Sequence, residues 1–177
     1  MSDMQRLPDP SILFDFLPAG TAIVLRHTDS KALALLARRI LPKARARHLK
    51  VLISNNVRLA RQLGADGVHL SEAIFRMGQW RRTITSTPPN FIFTAAHHRL
   101  PTTGLRNIDA ILMSPVFITE SHPRTQSLGV LKFANIVRRT PRPVIALGGI
   151  TARNIKHIKM CHAFGVAAIG AWQSNNS

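Results

Sequence analysis

The stretch "PVIALGGITARN" at residues 143–154 decides the fold class, because it joins a short apolar strand to a helix through two glycines. Residues 144–147 are apolar and include β-branched side chains, which is typical of a strand covered on both faces. Thr151 follows the glycines and is predicted as the N-cap of a helix, with Asn154 three residues later. A buried strand that leads directly into a helix predicts one unit of a parallel α/β fold.

The same alternation of short apolar runs and longer amphipathic runs recurs at intervals of about 20–30 residues. The segment 99–108 occupies a helix slot but contains Pro101 and Gly104, so any helix there is brief. Strands are predicted at 22–26, 50–54, 67–70, 91–94, 110–113, 144–147 and 166–169. Helices are predicted at 10–17, 30–46, 56–63, 72–83, 130–139 and 151–164.

Two closures of a parallel sheet are compatible with this order, an open doubly wound sheet and a (β/α)₈ barrel. Seven strands are visible, the helix at 10–17 precedes the first of them, and few residues follow the last one. We therefore expect a short (β/α)₈ TIM-type barrel that lacks strand 1 and the last helix. The expected organisation is a single domain over residues 1–177.

Composition narrows the function classes. The 177 residues include 24 Lys and Arg against 8 Asp and Glu, a formal net charge of +16. This charge attracts anions, but the basic residues are spread over helical positions and no zinc-finger or RRM pattern is present, so nucleic-acid recognition is not expected. The positive electrostatic field of such a protein would also attract a small phosphorylated substrate. No apolar stretch is long enough to cross a membrane, no cleavable signal pattern is present, and the lone Cys161 indicates a cytoplasmic protein.

Chemistry in parallel α/β folds lies where strands end and helices begin, and this chain places polar side chains there. The loop after the strand at 110–113 contains Thr119, Glu120, Ser121 and His122. Five histidines lie at or just beyond strand ends, and their convergence on one rim favours a functional site over isolated packing roles. They are His27, His69, His97, His98 and His122.

Gly148 and Gly149 predict a phosphate-binding turn, because glycine lets the backbone approach a ligand and the following helix offers free N–H donors. The last strand ends in Gly170 and Ala171, a second open backbone position. Phosphate held by the loops after strands seven and eight is a common barrel arrangement. The alternative is that the two glycines only make a tight turn.

Four segments together resemble the thiamine-phosphate synthase/TenI family of (β/α)₈ barrels. They are "GADGVHLSE" (64–72), "SPVFITESHP" (114–123), "LGV" (128–130) and "PVIALGGITARN" (143–154), in matching order and spacing. The resemblance covers nearly all of the chain from residue 10 onward. "MSD" at positions 1–3 is similar to the tail of the family's first strand, which points to a start codon upstream.

The resemblance implies a transferase of thiamine biosynthesis that couples hydroxymethylpyrimidine diphosphate to thiazole phosphate and releases pyrophosphate. It also implies Mg²⁺, which neutralises the leaving diphosphate. The family's metal-binding Asp positions are filled here by Asn55 and Ile74, while Glu72 lies two residues before the second of them. Because Mg²⁺ prefers carboxylate oxygens, these changes weaken the metal site and leave Glu72 as its candidate ligand.

Other site residues follow the family pattern unevenly. Arg26 is retained, whereas Val24 and Thr28 replace the Gln and Lys of the family segment around it. In the loop after the strand at 110–113, which corresponds to strand six of a complete barrel, Thr119 is retained and Ser121 replaces a threonine. His122 replaces the lysine in the same loop, where it is a candidate proton donor or phosphate partner. Arg26, Thr119, Ser121 and His122 are therefore the catalytic candidates. The substrate-binding candidates are Asn55, His97, Gly148, Gly149, Gly170 and Ala171.

Two alternatives stay open. TenI-type relatives catalyse a metal-free proton shift in the thiazole, a reaction of general acid–base type. Their catalytic histidine corresponds to Pro115 here, so His122 or His97 would have to replace it. The second alternative is a catalytically degenerate barrel that binds a phosphorylated ligand without turnover. Homo-oligomerisation is compatible with either alternative.

Overall fold

A computed structural model of the chain describes residues 7–100, 104–119 and 126–168. The chain is divided into two compact units, residues 1–93 (the first unit) and residues 94–177 (the second unit). Both units consist of parallel strands that alternate with helices, which confirms the α/β fold class.

The first unit contains three strands in parallel order. Ala22 pairs with Lys50 and Ser54 pairs with His69, so each crossover returns the chain to the adjacent position. Its elements in chain order are a 3₁₀ helix at Pro10–Phe16, β1 (Ala22–Leu25), α1 (Ser30–Ala46), β2 (Lys50–Ser54), α2 (Val57–Gln62), β3 (Gly67–Leu70), α3 (Glu72–Met77) and a 3₁₀ helix at Gln79–Ser86. The carboxyl ends of β1, β2 and β3 thus lie at one edge.

The second unit contains four strands in parallel order. His97 pairs with Met113, Met113 with Ala146, and Leu147 with Ala167. Its elements are β4 (Ile92–His97, which begins in the first unit), a 3₁₀ turn at Leu105–Asn107, β5 (Ala110–Met113), α4 (Gly129–Arg139), β6 (Val144–Leu147), α5 (Ile155–Met160) and β7 (Gly165–Ala167).

Two of the strands are buried on both faces, as is typical of parallel sheets in α/β proteins. All four residues of β3 and of β5 are buried, including His69 at 5% exposure. The longest helix, α1, buries Leu33, Ala37, Ile40 and Ala44 at helical spacing. Asp29 caps it by accepting a hydrogen bond from the Ala32 N–H at 2.7 Å. These buried faces form the core of each unit.

Several predicted bounds need correction. The helix predicted at 72–83 is two elements, because Gly78 adopts φ +72° and ends α3 at Met77. Trp80 then fixes the following 3₁₀ helix by donating from its indole N–H to the Phe75 carbonyl at 3.1 Å. The helix predicted at 151–164 is shorter and spans Ile155–Met160. Within the described ranges, no helix is long and apolar enough to span a bilayer.

Candidate active site

Four candidate residues of the first unit lie at or near the ends of its strands, and His69 is the one whose pKa its surroundings alter most. It is the third residue of β3 and is 5% exposed. Burial, and to a smaller extent the nearby positive charge of Arg26, lower the pKa of His69 to about 4. Near neutral pH this imidazole is therefore uncharged.

Asn55 directly follows β2, and the structure assigns its side chain a role within the protein. Its backbone adopts φ +58°, a conformation that asparagine tolerates better than most residues. Its amide oxygen accepts a hydrogen bond from the Ser71 N–H at 2.7 Å, and its own N–H donates to the His69 carbonyl at 2.8 Å. Asn55 therefore holds the β3–α3 loop against the end of β2.

Glu72 is the first residue of α3, where a carboxylate also interacts favourably with the helix terminus. Its Oε1 lies 4.0 Å from an Arg76 guanidinium nitrogen one turn later. Among the residues described, no group of three His, Cys, Asp or Glu side chains is placed to hold a metal ion. Glu72 with the engaged amide of Asn55 does not fit a protein-built Mg²⁺ site, which needs near-octahedral oxygen ligands.

In the second unit, the loop after β5 lies along the end of β6. The Val116 N–H donates to the Leu147 carbonyl at 3.0 Å, and the Phe117 N–H donates to the Gly148 carbonyl at 3.1 Å. At its start, the Ser114 N–H donates to the His97 carbonyl at 3.1 Å. These bonds continue the sheet pairing beyond the strands, so the loop after β5 and the turn after β6 are joined by backbone hydrogen bonds.

The close approach of the loop after β5 and the backbone conformation of the turn both require glycine at positions 148 and 149. Their φ angles are +93° and +64°. A Cβ on Gly148 would lie 2.8 Å from Cα and Cβ of Pro115, and a Cβ on Gly149 would overlap the Ile118 carbonyl oxygen. The two glycines thus form a tight turn. It is compatible with ligand binding, because the crowding concerns the Cβ direction and not the N–H groups.

Asn154 stabilises the other side of the turn. Its amide oxygen accepts from the Thr151 N–H at 2.8 Å, and its amide nitrogen donates to the Gly149 carbonyl at 2.8 Å. The prediction that Thr151 is the helix N-cap is wrong, because α5 begins at Ile155 with Asn154 as its N-cap. Asparagine carries both a donor and an acceptor and can bridge the two arms of the turn, which the threonine hydroxyl does not do here.

The N–H groups of Gly148 and Gly149 donate to no acceptor among the residues that the structure describes. Two adjacent backbone donors at a strand end form a concave anion-binding arrangement. Since α5 is only six residues long, the donors come from this turn rather than from a long helix dipole. We refer to Gly148, Gly149 and the Asn154 brace as the glycine turn.

Of the other predicted site residues, some lie within the described ranges and some lie outside them. His97 ends β4 and is 4% exposed, and Thr119 is half-buried at the end of the described loop. Arg26 is exposed directly after β1. Ser121, His122, Gly170 and Ala171 lie outside the described residues.

The sequence predictions missed Ser71, Pro115 and the bridging role of Asn154. For Asn154, a signal was available, because asparagine side chains near turns commonly hydrogen-bond to the local backbone. Pro115 carries no comparable signal, since its contact with Gly148 joins loops that are 33 positions apart.

Comparison with known proteins identifies the family. The sequence model of the family described as "Thiamine monophosphate synthase" matches residues 10–172. The chain belongs to the thiamine monophosphate synthase family. A relative from Aquifex aeolicus, whose name assigns it only provisionally as a thiamine-phosphate synthase, is 33% identical over 159 residues, which covers 86% of this chain and 83% of that protein. The thiamine-phosphate synthase of Roseiflexus castenholzii is 29% identical, covering 86% of this chain and 68% of that protein.

Solved structures show the fold of this family member. Thiamine phosphate pyrophosphorylase from Pyrococcus furiosus matches with a TM-score of 0.74 at 20% identity, over 99% of this chain and 86% of that chain. N-(5'-phosphoribosyl)anthranilate isomerase from the same organism matches with a TM-score of 0.54 at 15% identity, over 90% and 80%. The predicted TIM-like class is therefore confirmed, and the chain shows seven parallel strands in its described residues.

Proposed function

We propose that this member of the thiamine monophosphate synthase family is a transferase that couples hydroxymethylpyrimidine diphosphate to thiazole phosphate. The main support is the match of the family over residues 10–172, which carries the four motifs in register. That match extends through one continuous region, which supports the single domain expected for residues 1–177.

The proposed reaction breaks the bond between the pyrimidine methylene carbon and the diphosphate oxygen. The thiazole nitrogen donates its electron pair to that carbon, forming a C–N bond and giving thiamine phosphate. The bonding electrons leave with the diphosphate as pyrophosphate. Negative charge thus develops on the leaving group, and cationic side chains aimed at it lower the barrier.

We assign the thiazole phosphate to the glycine turn. The uncommitted N–H groups of Gly148 and Gly149 support this assignment, because a phosphate oxygen satisfies backbone donors that would otherwise need water. The brace by Asn154 holds the Gly149 carbonyl and orients the peptide groups of the turn. Gly170 and Ala171 remain proposed contributors to the same phosphate.

Arg26 and Thr119 are proposed to contact the diphosphate, as their match to the family motifs supports. The Arg26 guanidinium stays charged at any physiological pH and can donate several hydrogen bonds to phosphate oxygens. Ser121 and His122 are proposed donors in the same loop as Thr119. His97 is proposed to contribute to substrate binding through its position at the end of β4.

The side chains described do not form a metal cage, so we derive no catalytic step through Mg²⁺. Glu72 is the proposed residue for any metal that enters with the diphosphate. Asn55 is proposed to act there by holding the β3–α3 loop, on which Glu72 lies, through its bond to the Ser71 N–H.

The direct test incubates the purified full chain with both substrates and measures thiamine phosphate and pyrophosphate. We expect stoichiometric formation of both. Arg26→Gln should lower kcat/KM about 100-fold, the effect typical of removing one donor to developing charge. Arg58→Gln is the matched control, because Arg58 is an exposed arginine on α2. Absence of thiamine phosphate at any enzyme concentration would overturn the proposal.

The same assay separates the alternatives. A tautomerase would convert thiazole isomers without pyrophosphate release and would be indifferent to EDTA. Pro115 is buried against Gly148 and has no proton to transfer, so the position of the tautomerase histidine is occupied by a packing residue. Binding of thiazole phosphate without any turnover would identify a degenerate relative.

A further inference from the structure

A cavity of about 560 Å³ lies in the second unit, on the flank of α4. One helix face lines it, since Lys132, Asn135, Ile136 and Arg139 follow one another at three- and four-residue spacing. The volume is within the range of pockets that hold small organic ligands. Neither Gly148 nor Gly149 is among the described residues that line it, so it is a different place from the glycine turn.

Residues of the connection between β4 and β5 also line the cavity. Only the three-residue turn Leu105–Asn107 occurs among the described residues of that connection. The stretch directly after β4 contributes Arg99 to this lining. On this flank of α4, Lys132, Asn135 and Arg139 are exposed.

The charged side chains of the lining are all cationic. Arg99, Lys132 and Arg139 all line the cavity and are exposed, and no described lining residue is acidic. Residues 94–177 contain ten Lys and Arg but only Asp109 and Glu120 as carboxylates. Three positive charges around one concavity reinforce one another, and such a site attracts a multiply charged anion.

The other lining residues are the polar His98, Gln126, Ser127 and Asn135 and a group of apolar side chains. Pro115, Leu128 and Ile136 line the cavity, and both Pro115 and Ile136 are largely buried. A purely inorganic anion would leave this surface in contact with water. An organic group attached to the anion would cover it and gain the free energy of apolar burial.

We propose that this cavity is a binding site for an organic diphosphate or triphosphate, with the phosphates between Lys132, Arg139 and Arg99 and the organic ring against Pro115, Leu128 and Ile136. The cationic residues of the cavity are not among those proposed for the transferase reaction, although Pro115 borders both the cavity and the glycine turn. Asn135 supplies an additional hydrogen-bonding group on the same helix face.

The test is calorimetric titration of the full chain with ADP, inorganic pyrophosphate and adenosine. We expect ADP to bind more tightly than either of the other two probes, because only ADP offers both the charge and the ring. Pyrophosphate binding as tight as ADP binding would overturn the organic part of the proposal. Absence of ADP binding would overturn it entirely.

Substitutions of the cationic residues test whether ADP binds in this cavity. Lys132→Gln with Arg139→Gln should weaken ADP binding about tenfold, as expected for two partly exposed charge contacts. Lys156→Gln with Lys159→Gln removes the same charge from exposed positions on α5 and should change the affinity less than about twofold. Equal weakening by both pairs would show attraction by the general field and would overturn the site.

Turnover provides the final control. The Lys132→Gln, Arg139→Gln protein should retain the parent's rate of pyrophosphate release, because these residues are not in the transferase site. Loss of ADP binding with unchanged turnover supports a separate site. Loss of both together, with unchanged thermal unfolding, would place these residues in the transferase site and contradict the proposal.

Discussion

The two units end their strands in different ways. In the first unit, side chains after the strands are bonded to the protein itself, as Asn55 is to the Ser71 N–H and Asp29 is to the Ala32 N–H. In the second unit, the turn after β6 leaves two backbone N–H groups without a protein acceptor among the described residues. A polar side chain at a strand end is therefore a poorer indicator of a ligand site than an uncommitted backbone donor.

The difference has a physical origin. Asparagine, aspartate and serine beside a helix start compete for its free N–H groups, and once bonded there they are less available to a ligand. The glycine turn has no side chain to do this, and its geometry is set by contacts with Pro115 and Ile118 instead. Rigid packing thus prepares the backbone donors for an anion.

The largest expected effect is on the glycine turn. Gly149→Ala places a Cβ on the Ile118 carbonyl oxygen and within 2.8 Å of Phe117 Cβ, in addition to the positive φ. We expect the free energy of unfolding to fall by about 4 kcal/mol, from overpacking against backbone plus left-handed strain. Urea denaturation followed by circular dichroism measures it.

Gly129→Ala is the matched control for that substitution. Gly129 has φ +71°, but a Cβ there meets nothing within 4 Å. Only the conformational cost remains, about 1 kcal/mol. Equal losses for the two variants would show that the glycine turn is not packed as described, and would remove the contrast between the two units.

The next largest effect concerns His69 in the first unit. Its pKa is lowered to about 4, so the unfolded chain binds a proton at a higher pH than the folded protein does. Its contribution to stability is complete above about pH 6.5 and is lost progressively as the pH falls toward 4, by about 3 kcal/mol in total. The free energy of unfolding should therefore decrease in that interval.

His69→Gln serves as the comparison, since other groups titrate in the same interval. The variant is expected to show a decrease smaller by about 3 kcal/mol between pH 6.5 and pH 4. Identical pH profiles for the parent and the variant would mean that His69 titrates normally and is not held uncharged by burial.

The smallest effect concerns Asn55. Asn55→Ala removes the acceptor for the Ser71 N–H and places alanine at φ +58°, and we expect a loss of about 2 kcal/mol in the free energy of unfolding. Asn55→Asp retains an acceptor oxygen and should lose less than about 1 kcal/mol. Similar losses in both variants, measured by thermal unfolding, would mean that the bond to Ser71 does not hold the loop.

The α/β alternation was predictable because each strand is a short apolar run bounded by polar residues. The strand predicted at 110–113 coincides with β5, and the strand predicted at 91–94 is longer, as β4 runs over Ile92–His97. The missed residues are Ala95, Ala96 and His97, since alanine has a low strand propensity and His97 is polar, so the apolar β-branched signal stops at Thr94. The end of α3 was missed because Gly78 lies within an otherwise helical pattern.

The site was less predictable than the fold. Gly148 and Gly149 were identified by their position after a strand, but the residues that fix them come from a distant loop and from Asn154. Long-range contacts of that kind have no periodicity in the sequence. The role of Asn55 was likewise hidden, because its partner Ser71 is 16 positions away.

The most direct test of the glycine turn follows amide signals of the ¹⁵N-labelled full chain during titration with thiazole phosphate. We expect the amide signals of Gly148 and Gly149 to shift downfield along one saturating curve, while that of Gly129 does not move. Saturable binding of thiazole phosphate that leaves the Gly148 and Gly149 signals in place would contradict the central claim.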